Sequence, residues 1–266
     1  MSSEPLFICV FNYGAIHLGL NHLQSLRRCG ITNYKAFVTD TASVNALTER
    51  GHPVEYVTPE GNYGMDKMDF DSPTFNSMSY LRYKVIIKLL EQGQIVWYMD
   101  VDTVVVQNVL PVYECIKVEG IDICFQNDVN MPCTGCMLCW PNPATIDFFR
   151  KIYTGARSDI CDQVLVSEYL RQAPDGIKIG LFDKTEFPNG LLYFCDDLEN
   201  QEMVKQYSSV VIPYKEAPKN IYFVHANWMV GNDVKIAALQ KHGLWFIPNM
   251  NMNAKRVWSM PGYNRK

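Results

Sequence analysis

Two carboxylates, Asp100 and Asp102, stand in the middle of IVWYMDVDTVVV, residues Ile95 to Val106, a run that is apolar on both flanks. Read as a strand, this run sends residues i and i+2 to the same side, so the two acids project together. Side by side they repel, and one is driven toward its protonated form unless a cation lies between them. A divalent ion with oxygen ligands removes that conflict, and it can also carry a diphosphate. An isolated Asp-x-Asp is commonly a solvated strand end. Here the wholly apolar approach, directly after a strand–helix unit, favours the metal. A second stretch carries matching chemistry. His225 ends the strand-like NIYFVH, and imidazole is a good borderline ligand for manganese. Gly231 then opens the helix-like NDVKIAALQKHG, whose N-terminus offers N–H groups to phosphate oxygens, with Lys235 one turn in as a point charge. A second pair of acids, Asp159 and Asp162, sits near the start of a helix in DICDQVLV, where acids are also favoured simply as caps.

The elements around these residues alternate. LFICVF reads as a buried strand, and LGLNHLQSLRRCG as a helix with Leu20, Leu23 and Leu26 on one side and Gly30 as its stop. KAFVTD is a second strand ending in Asp40. TASVNALTERG is a second helix, VEYV a short strand, and the polar stretch from Gly61 to Pro73 a loop. SMSYLRYKVIIKLLEQG is a long helix whose Met78, Leu81, Val85, Ile86, Leu89 and Leu90 share a face. Strand and helix in this order predict an α/β sandwich with a mainly parallel sheet, and ligands bind such sheets outside the carboxyl ends of their strands. Beyond Pro111 the pattern loosens. IDICFQ, CMLCW, GLLYF and NIYFVHA read as strands. NPATIDFFRKIYTG, DICDQVLVSEYLRQA and NDVKIAALQKHG read as helices. No linker, repeat or low-complexity tract divides the chain.

Composition excludes several classes. The chain has 266 residues, 48% hydrophobic and 20% charged, with a net charge of -4, so neither a nucleic-acid protein nor a binder of anionic membranes is indicated. No apolar run approaches the ~20 residues of a membrane span. The N-terminal MSSEPLFICVFNYG lacks the basic region and long apolar core of a signal peptide. Nine cysteines, an odd number, with Cys9, Cys124 and Cys195 in strand-like runs, fit buried free thiols in a reducing compartment. The expectation is a soluble, cytoplasmic protein. CTGCMLC spaces Cys133, Cys136 and Cys139 as a zinc or iron–sulfur motif would, but MLCW reads as a strand that sends Cys136 and Cys139 to opposite faces, so buried thiols are the better reading.

SYLRYKVIIKLLEQGQIVWYMDVDTVVV resembles the Asp-x-Asp region of glycosyltransferases with the GT-A fold. The closest resemblance is to the nucleotide-diphospho-sugar transferase family of retaining α-glycosyltransferases; a more distant one is to glycogenin and the bacterial lipooligosaccharide galactosyltransferases. NYGAIHLGLNHLQSL, FVTD, CTGCMLCWPNP, the Asp-Gln pair of SDICDQVLV and HANWMVGNDVK extend it from about residue 6 to about residue 245. The resemblance implies a single GT-A domain over 1–266, Rossmann-like, with a nucleotide-binding part over about 1–110 and an acceptor and catalytic part over about 111–266. It implies that Asn12, Tyr13 and Asp40 contact the nucleotide. Arg82 or Lys84 would reach the ligand, and the spacing does not choose between them. Asp100, Asp102 and His225 would hold Mn2+ or Mg2+, with Gly231 and Lys235 closing over the diphosphate. Asp162 and Gln163 would lie at the anomeric carbon. The implied reaction moves a sugar from a nucleotide-diphosphate donor, UDP by preference, to a hydroxyl of a glycan, glycoprotein or small acceptor, with retention. Cys133 stands near where the family usually has an asparagine. An inverting enzyme with an Asp base, a non-catalytic nucleotide-sugar binder and a two-carboxylate glycosidase are the alternatives. The segment from His225 to Gly243 and the Asn- and Met-rich stretch after it are expected to be loose without nucleotide and to order when UDP and metal bind.

Overall fold

A seven-stranded sheet in the order β3-β2-β1-β4-β7-β6-β8 runs through the computed structural model, which describes residues 4–59, 61, 64–129, 131–172, 176–207 and 220–248. Its strands are β1 (Leu6–Phe11), β2 (Tyr34–Val38), β3 (Val54–Tyr56), β4 (Val96–Met99), β6 (Ile123–Asn127), β7 (Pro132–Cys139) and β8 (Ile179–Leu181). β3, β2, β1 and β4 are parallel, β7 runs antiparallel to β4 and β6, and β8 is parallel to β6. β5 (Thr103–Val105) and β9 (Phe223–His225) form a separate antiparallel pair.

Alternation along the central strands divides two cores. Phe7, Cys9 and Phe11 of β1, Trp97 and Met99 of β4, and Cys136 and Leu138 of β7 enter one. Ile8, Val96, Tyr98, Met137 and Cys139 enter the other. The first is covered by α1 (Ile16–Arg28), α2 (Thr41–Thr48) and α4 (Leu110–Glu119); the second by α3 (Pro73–Glu91), α5 (Pro143–Thr154) and α6 (Asp162–Arg171). Leu20, Leu23 and Leu26 of α1 and Val85, Ile86, Leu89 and Leu90 of α3 are all buried. Trp97 stacks between Phe7 and Phe182 at 5.1 and 5.6 Å. Truncating so large a buried side chain to alanine costs about 3–5 kcal/mol. Cys136 and Cys139 do fall on opposite faces of β7, and all nine cysteines are free thiols. Among the described residues, no helix is long and apolar enough to cross a membrane.

Helix ends follow their caps. Asp40 caps α2 by accepting from Ser43 N–H, and Ser72 caps α3, which begins at Pro73 rather than Ser77. The remaining helices are α7 (Gly190–Tyr193), α8 (Leu198–Gln206) and α9 (Asn232–Lys241). α4, α8 and β8 have no counterpart in the elements expected from the sequence.

Three expectations are corrected. GLLYF is helical: Asn189 accepts from Leu192 N–H and caps α7, and so short an apolar run has no period that separates strand from helix. Cys195, expected on a strand there, lies beyond α7 and is half-buried. α6 starts at Asp162, while Asp159 lies before it, exposed and paired with Arg157 at 2.6 Å. Most consequential, IVWYMDVDTVVV is not one strand. β4 ends at Met99, Thr103 N–H donates to Asp100 C=O across a turn, and the chain leaves the main sheet to pair β5 with β9. The two acids converge because they sit on that turn at the carboxyl end of β4, not because they share a strand face.

Candidate active site

The turn is held from the main sheet by Asp100 N–H, which donates to Gly135 C=O of β7 at 2.7 Å, and from the small sheet by Ala226 N–H, which donates to Asp102 C=O at 2.9 Å. The register of β5 with β9 sets Thr103 opposite His225. Asp102 Oδ1 thereby lies 3.1 Å from His225 Nε2, and Asp100 Oδ2 lies 4.0 Å from the same nitrogen. One oxygen or nitrogen from each of Asp100, Asp102 and His225 falls within 4.8 Å of the others. An ion bound at roughly 2.1 Å to each ligand needs separations no greater than roughly 4.2 Å, which both distances to Nε2 satisfy.

Two further observations fit a divalent cation here. Gly135 faces the cluster, where a Cβ would fall 2.4 Å from His225 Cε1 and 2.6 Å from Asp100 Oδ2; only glycine leaves that space open. His225 Nδ1 lies 2.7 Å from Gln126 Oε1 and donates to it, so Nε2 is the nitrogen turned to the carboxylates. Without a cation, the charges compensate one another. Burial would raise Asp102, but Lys235, at 2.6 Å from Oδ2, and His225 hold its carboxyl well below the usual range. Burial would lower His225, yet Asp102 and Asp100 raise it. Desolvation and Asp102 raise Asp100 against the pull of Arg82.

Asp100 and Asp102 of the cluster line an open cleft, with His225 buried behind them. Its polar lining includes Asn12, Arg82, Tyr98 and Lys235, and its apolar lining Met68, Phe75 and Met78. Arg82 is 7% exposed and lines the cleft, with its guanidinium 3.4 Å from Asp100 Oδ1 and 3.8 Å from Asp162 Oδ2, and it donates to Thr134 C=O. Burial opposes its charge, but Asp100 and Asp162 hold it protonated. Lys84 is not among the residues that line the cleft.

The other expected residues fall as follows. Asn12 borders the cleft and donates to Asp66 C=O, so its amide holds the loop before α3. Tyr13 is exposed, and its N–H donates to Asp40 Oδ2; Asp40 also accepts from Ser43. Gly231 has φ +97, a conformation that favours glycine, and it caps α9, whose first turn carries Lys235. Asp162 is 3% exposed, takes a 2.6 Å hydrogen bond from Tyr83 Oη, and lies behind Arg82 rather than in the cleft. Gln163 Oε1 accepts from Thr134 N–H at 3.3 Å.

Residues that the sequence reading missed complete the arrangement. Tyr98 Oη donates to Asp100 Oδ1 at 2.6 Å, and the Arg82 guanidinium lies over the Tyr98 ring at 4.9 Å. Each acid, Asp100 and Asp162, thus has its own tyrosine hydroxyl. Gln126 was legible only as a polar residue closing the apolar strand ICFQ. Cys133 Sγ lies 3.7 Å from His225 Nδ1, buried beside the site.

The comparisons agree with the fold. The model of the nucleotide-diphospho-sugar transferase family matches residues 29–239, and the chain belongs to that family. It is a glycosyltransferase with a GT-A fold. A search of curated proteins finds no match. Among solved structures, the galactosyltransferase LgtC, in complex with donor and acceptor sugar analogs, is similar at 12% identity and TM-score 0.55, over 92% of this chain and 98% of that one. Mouse xyloside xylosyltransferase 1 is similar at 12% identity and TM-score 0.53, over 84% and 97%. The glycosyltransferase GlyE of Streptococcus pneumoniae is similar at 12% identity and TM-score 0.52, over 89% of this chain and 60% of that one.

Proposed function

We propose that the protein moves a sugar from a nucleoside-diphosphate donor, UDP-linked as the family resemblance implies, to a hydroxyl acceptor, with a divalent cation and with retention. The observation that carries this reading is the convergence of Asp100, Asp102 and His225 at the head of the cleft, with Gly135 leaving room between them. Mn2+ or Mg2+ held there supplies positive charge to the departing diphosphate. The protein's own groups do the rest. Lys235, paired with Asp102 at 2.6 Å, would turn its ammonium to the diphosphate. The first N–H groups of α9 face the same charge. Arg82 and Asp100 hold the sugar end of the donor. As the bond from the anomeric carbon to the phosphate oxygen breaks, its electron pair leaves with the diphosphate. The acceptor oxygen bonds to that carbon from the same face, and its proton passes to a diphosphate oxygen. Gln163, anchored at Thr134, steadies the oxocarbenium-like centre. The burial of Asp162 beneath Tyr83 and Arg82 speaks against its service as a general base, the inverting alternative.

A panel of nucleotide-sugars screened for manganese-dependent hydrolysis tests the reading. One donor should be hydrolysed slowly with Mn2+ and not with EDTA; metal-independent turnover of that donor, or hydrolysis of none of the panel with a supplied acceptor, would contradict it. NMR of the first-formed product from an α-linked donor should show an α linkage, and a β product would return Asp162 to the role of base.

A further inference from the structure

Gln126 and Asp128 lie two residues apart where β6 ends, and each grips the chain that carries His225. Gln126 is wholly buried. Its Nε2 donates to Phe187 C=O and Pro188 C=O at 3.2 and 3.0 Å. Two carbonyls accept and cannot donate, so they fix which end of the amide is nitrogen. Oε1 is left facing His225 Nδ1, and a hydrogen on Nδ1 is the one arrangement that makes this contact attractive.

Asp128 gathers the next residues. Its Oδ1 accepts from Trp228 Nε1 at 2.8 Å and from Asn189 Nδ2 at 2.7 Å, and its Oδ2 from Asn227 Nδ2 at 3.4 Å. Asn227 Oδ1 in turn accepts from Gly190 N–H at 2.6 Å, where a Cβ on Gly190 would fall 1.9 Å from Asn227 C=O. Trp228 has φ +66, left-handed backbone that a bulky aromatic residue rarely adopts. Such a conformation persists where the surroundings over-determine it, and the hydrogen bonds converging on Asp128 do so. The backbone is tied as well: His225 N–H donates to Pro188 C=O and Ala226 N–H to Asp102 C=O.

We propose that Gln126 and Asp128 are positioning residues that preform the segment from His225 to Trp228, so the metal-ligand edge of the site stands ready before nucleotide arrives. The inference rests on the reading of Asp100, Asp102 and His225 as a divalent-cation site. It narrows the closure expected over 225–243: the part free to move begins beyond Trp228, at the exposed Val230 and at Gly231.

The test uses the full chain and two readouts: Mn2+ affinity from the EPR signal of the free ion, and hydrogen exchange over residues 225–229 in metal-free protein. Gln126→Leu should weaken Mn2+ binding ten- to a hundredfold, while UDP affinity in EDTA changes less than about twofold. Wild-type protein should already protect 225–229 without metal. Asp128→Ala should raise exchange there about tenfold or more, and Asp128→Asn, which keeps an oxygen for the indole, should restore most of the protection. Wild-type Mn2+ affinity in Gln126→Leu together with unchanged exchange in Asp128→Ala would overturn the proposal, as would a metal-free wild type unprotected over 225–229. If either variant does not fold, Trp228→Phe decides by the same exchange measurement, since it keeps the ring and removes the N–H. Absence of Mn2+ and Mg2+ binding by the wild type would remove the metal reading alone, leaving exchange to judge the positioning roles.

Discussion

At the floor of the cleft, Asp102 is 6% exposed and held between His225 and Lys235, whereas an outer roof pair, Lys67 and Asp233, next in sequence to the lining residues Met68 and Asn232, meets at 3.3 Å with side chains 44% and 73% exposed. The floor charges compensate one another, with the side chains of Asp102 and His225 at most 8% exposed and those of Lys235 and Asp100 at 20% and 29%. Removing one partner leaves another buried and uncompensated, a loss of about 3–5 kcal/mol. The roof pair is worth at most about 1 kcal/mol and weakens with salt. The loop that carries Lys67 is nonetheless seated closely: Asn12 donates to Asp66 C=O, and a Cβ on Gly14 would fall 2.4 Å from that carbonyl oxygen. Asn232 Nδ2 of α9 also donates to Gly14 C=O. A floor that must hold one ion and a roof that must admit a nucleotide ask for this division, in which the ion's ligands are preset and the contacts across the entrance are exchangeable.

The largest effect should come from the floor. Asp102→Ala should lower turnover about a thousandfold or more while circular dichroism shows the fold retained, and raising donor concentration should not recover it. Near-normal turnover would end the metal reading. Gly135→Ala tests the space between the ligands rather than the ligands themselves. The added methyl must displace His225 and Asp100, so Mn2+ affinity should fall about tenfold or more, with a stability loss of about 1–3 kcal/mol; unchanged affinity in an EPR titration would show that the cluster has slack.

His22 sharpens the comparison through pH. It lies 1% exposed under the turn, 2.8 Å from Thr103 C=O. Burial lowers its pKa to about 4, although the Thr103 carbonyl opposes the shift. A folded-state value below the unfolded one means that stability is intact above about pH 6.5 and is lost as pH falls toward 4, by up to about 3 kcal/mol. Tm measured from pH 7 to 4.5 should therefore fall more steeply in the wild type than in His22→Gln; parallel curves would show that the floor is not acid-sensitive through this group. The smallest effect belongs to the roof. Lys67→Ala should leave Tm and turnover unchanged and shift the donor KM by no more than about threefold at low salt, the difference vanishing at high salt. A large, salt-independent loss would place Lys67 on the donor itself.

The same contrast explains what could be read from the sequence. Elements with a long period were legible: the apolar face of α3, the leucines of α1, and the strand–helix order that brings the end of β1 beside the end of β4. The pair Asp100 and Asp102, His225, and the lysine after Gly231 were legible because their chemistry is unusual for their surroundings. The reason given for the convergence of the acids was wrong, since a hydrophobic run does not reveal that the chain turns at Asp100 and changes sheets. Asp162 was legible as one of two acids near the start of a helix, but its burial behind Arg82 depends on α3 packing against α6. Gln126 and Asp128 act across about a hundred residues in sequence, through hydrogen bonds that leave no local period, and Tyr98, though only two residues before Asp100, reads as one more aromatic of a buried strand. The stretch after Pro248, with its asparagines and methionines, lies outside the described residues.

The central claim is that the cleft binds its donor through a cation held by Asp100, Asp102 and His225. Calorimetric titration of UDP into the wild type and Asp102→Ala, each with Mn2+ and with EDTA, addresses it most directly. The account predicts that Mn2+ tightens UDP binding to the wild type about tenfold or more and that this gain disappears in Asp102→Ala; equal UDP affinity with Mn2+ and with EDTA in the wild type would contradict it.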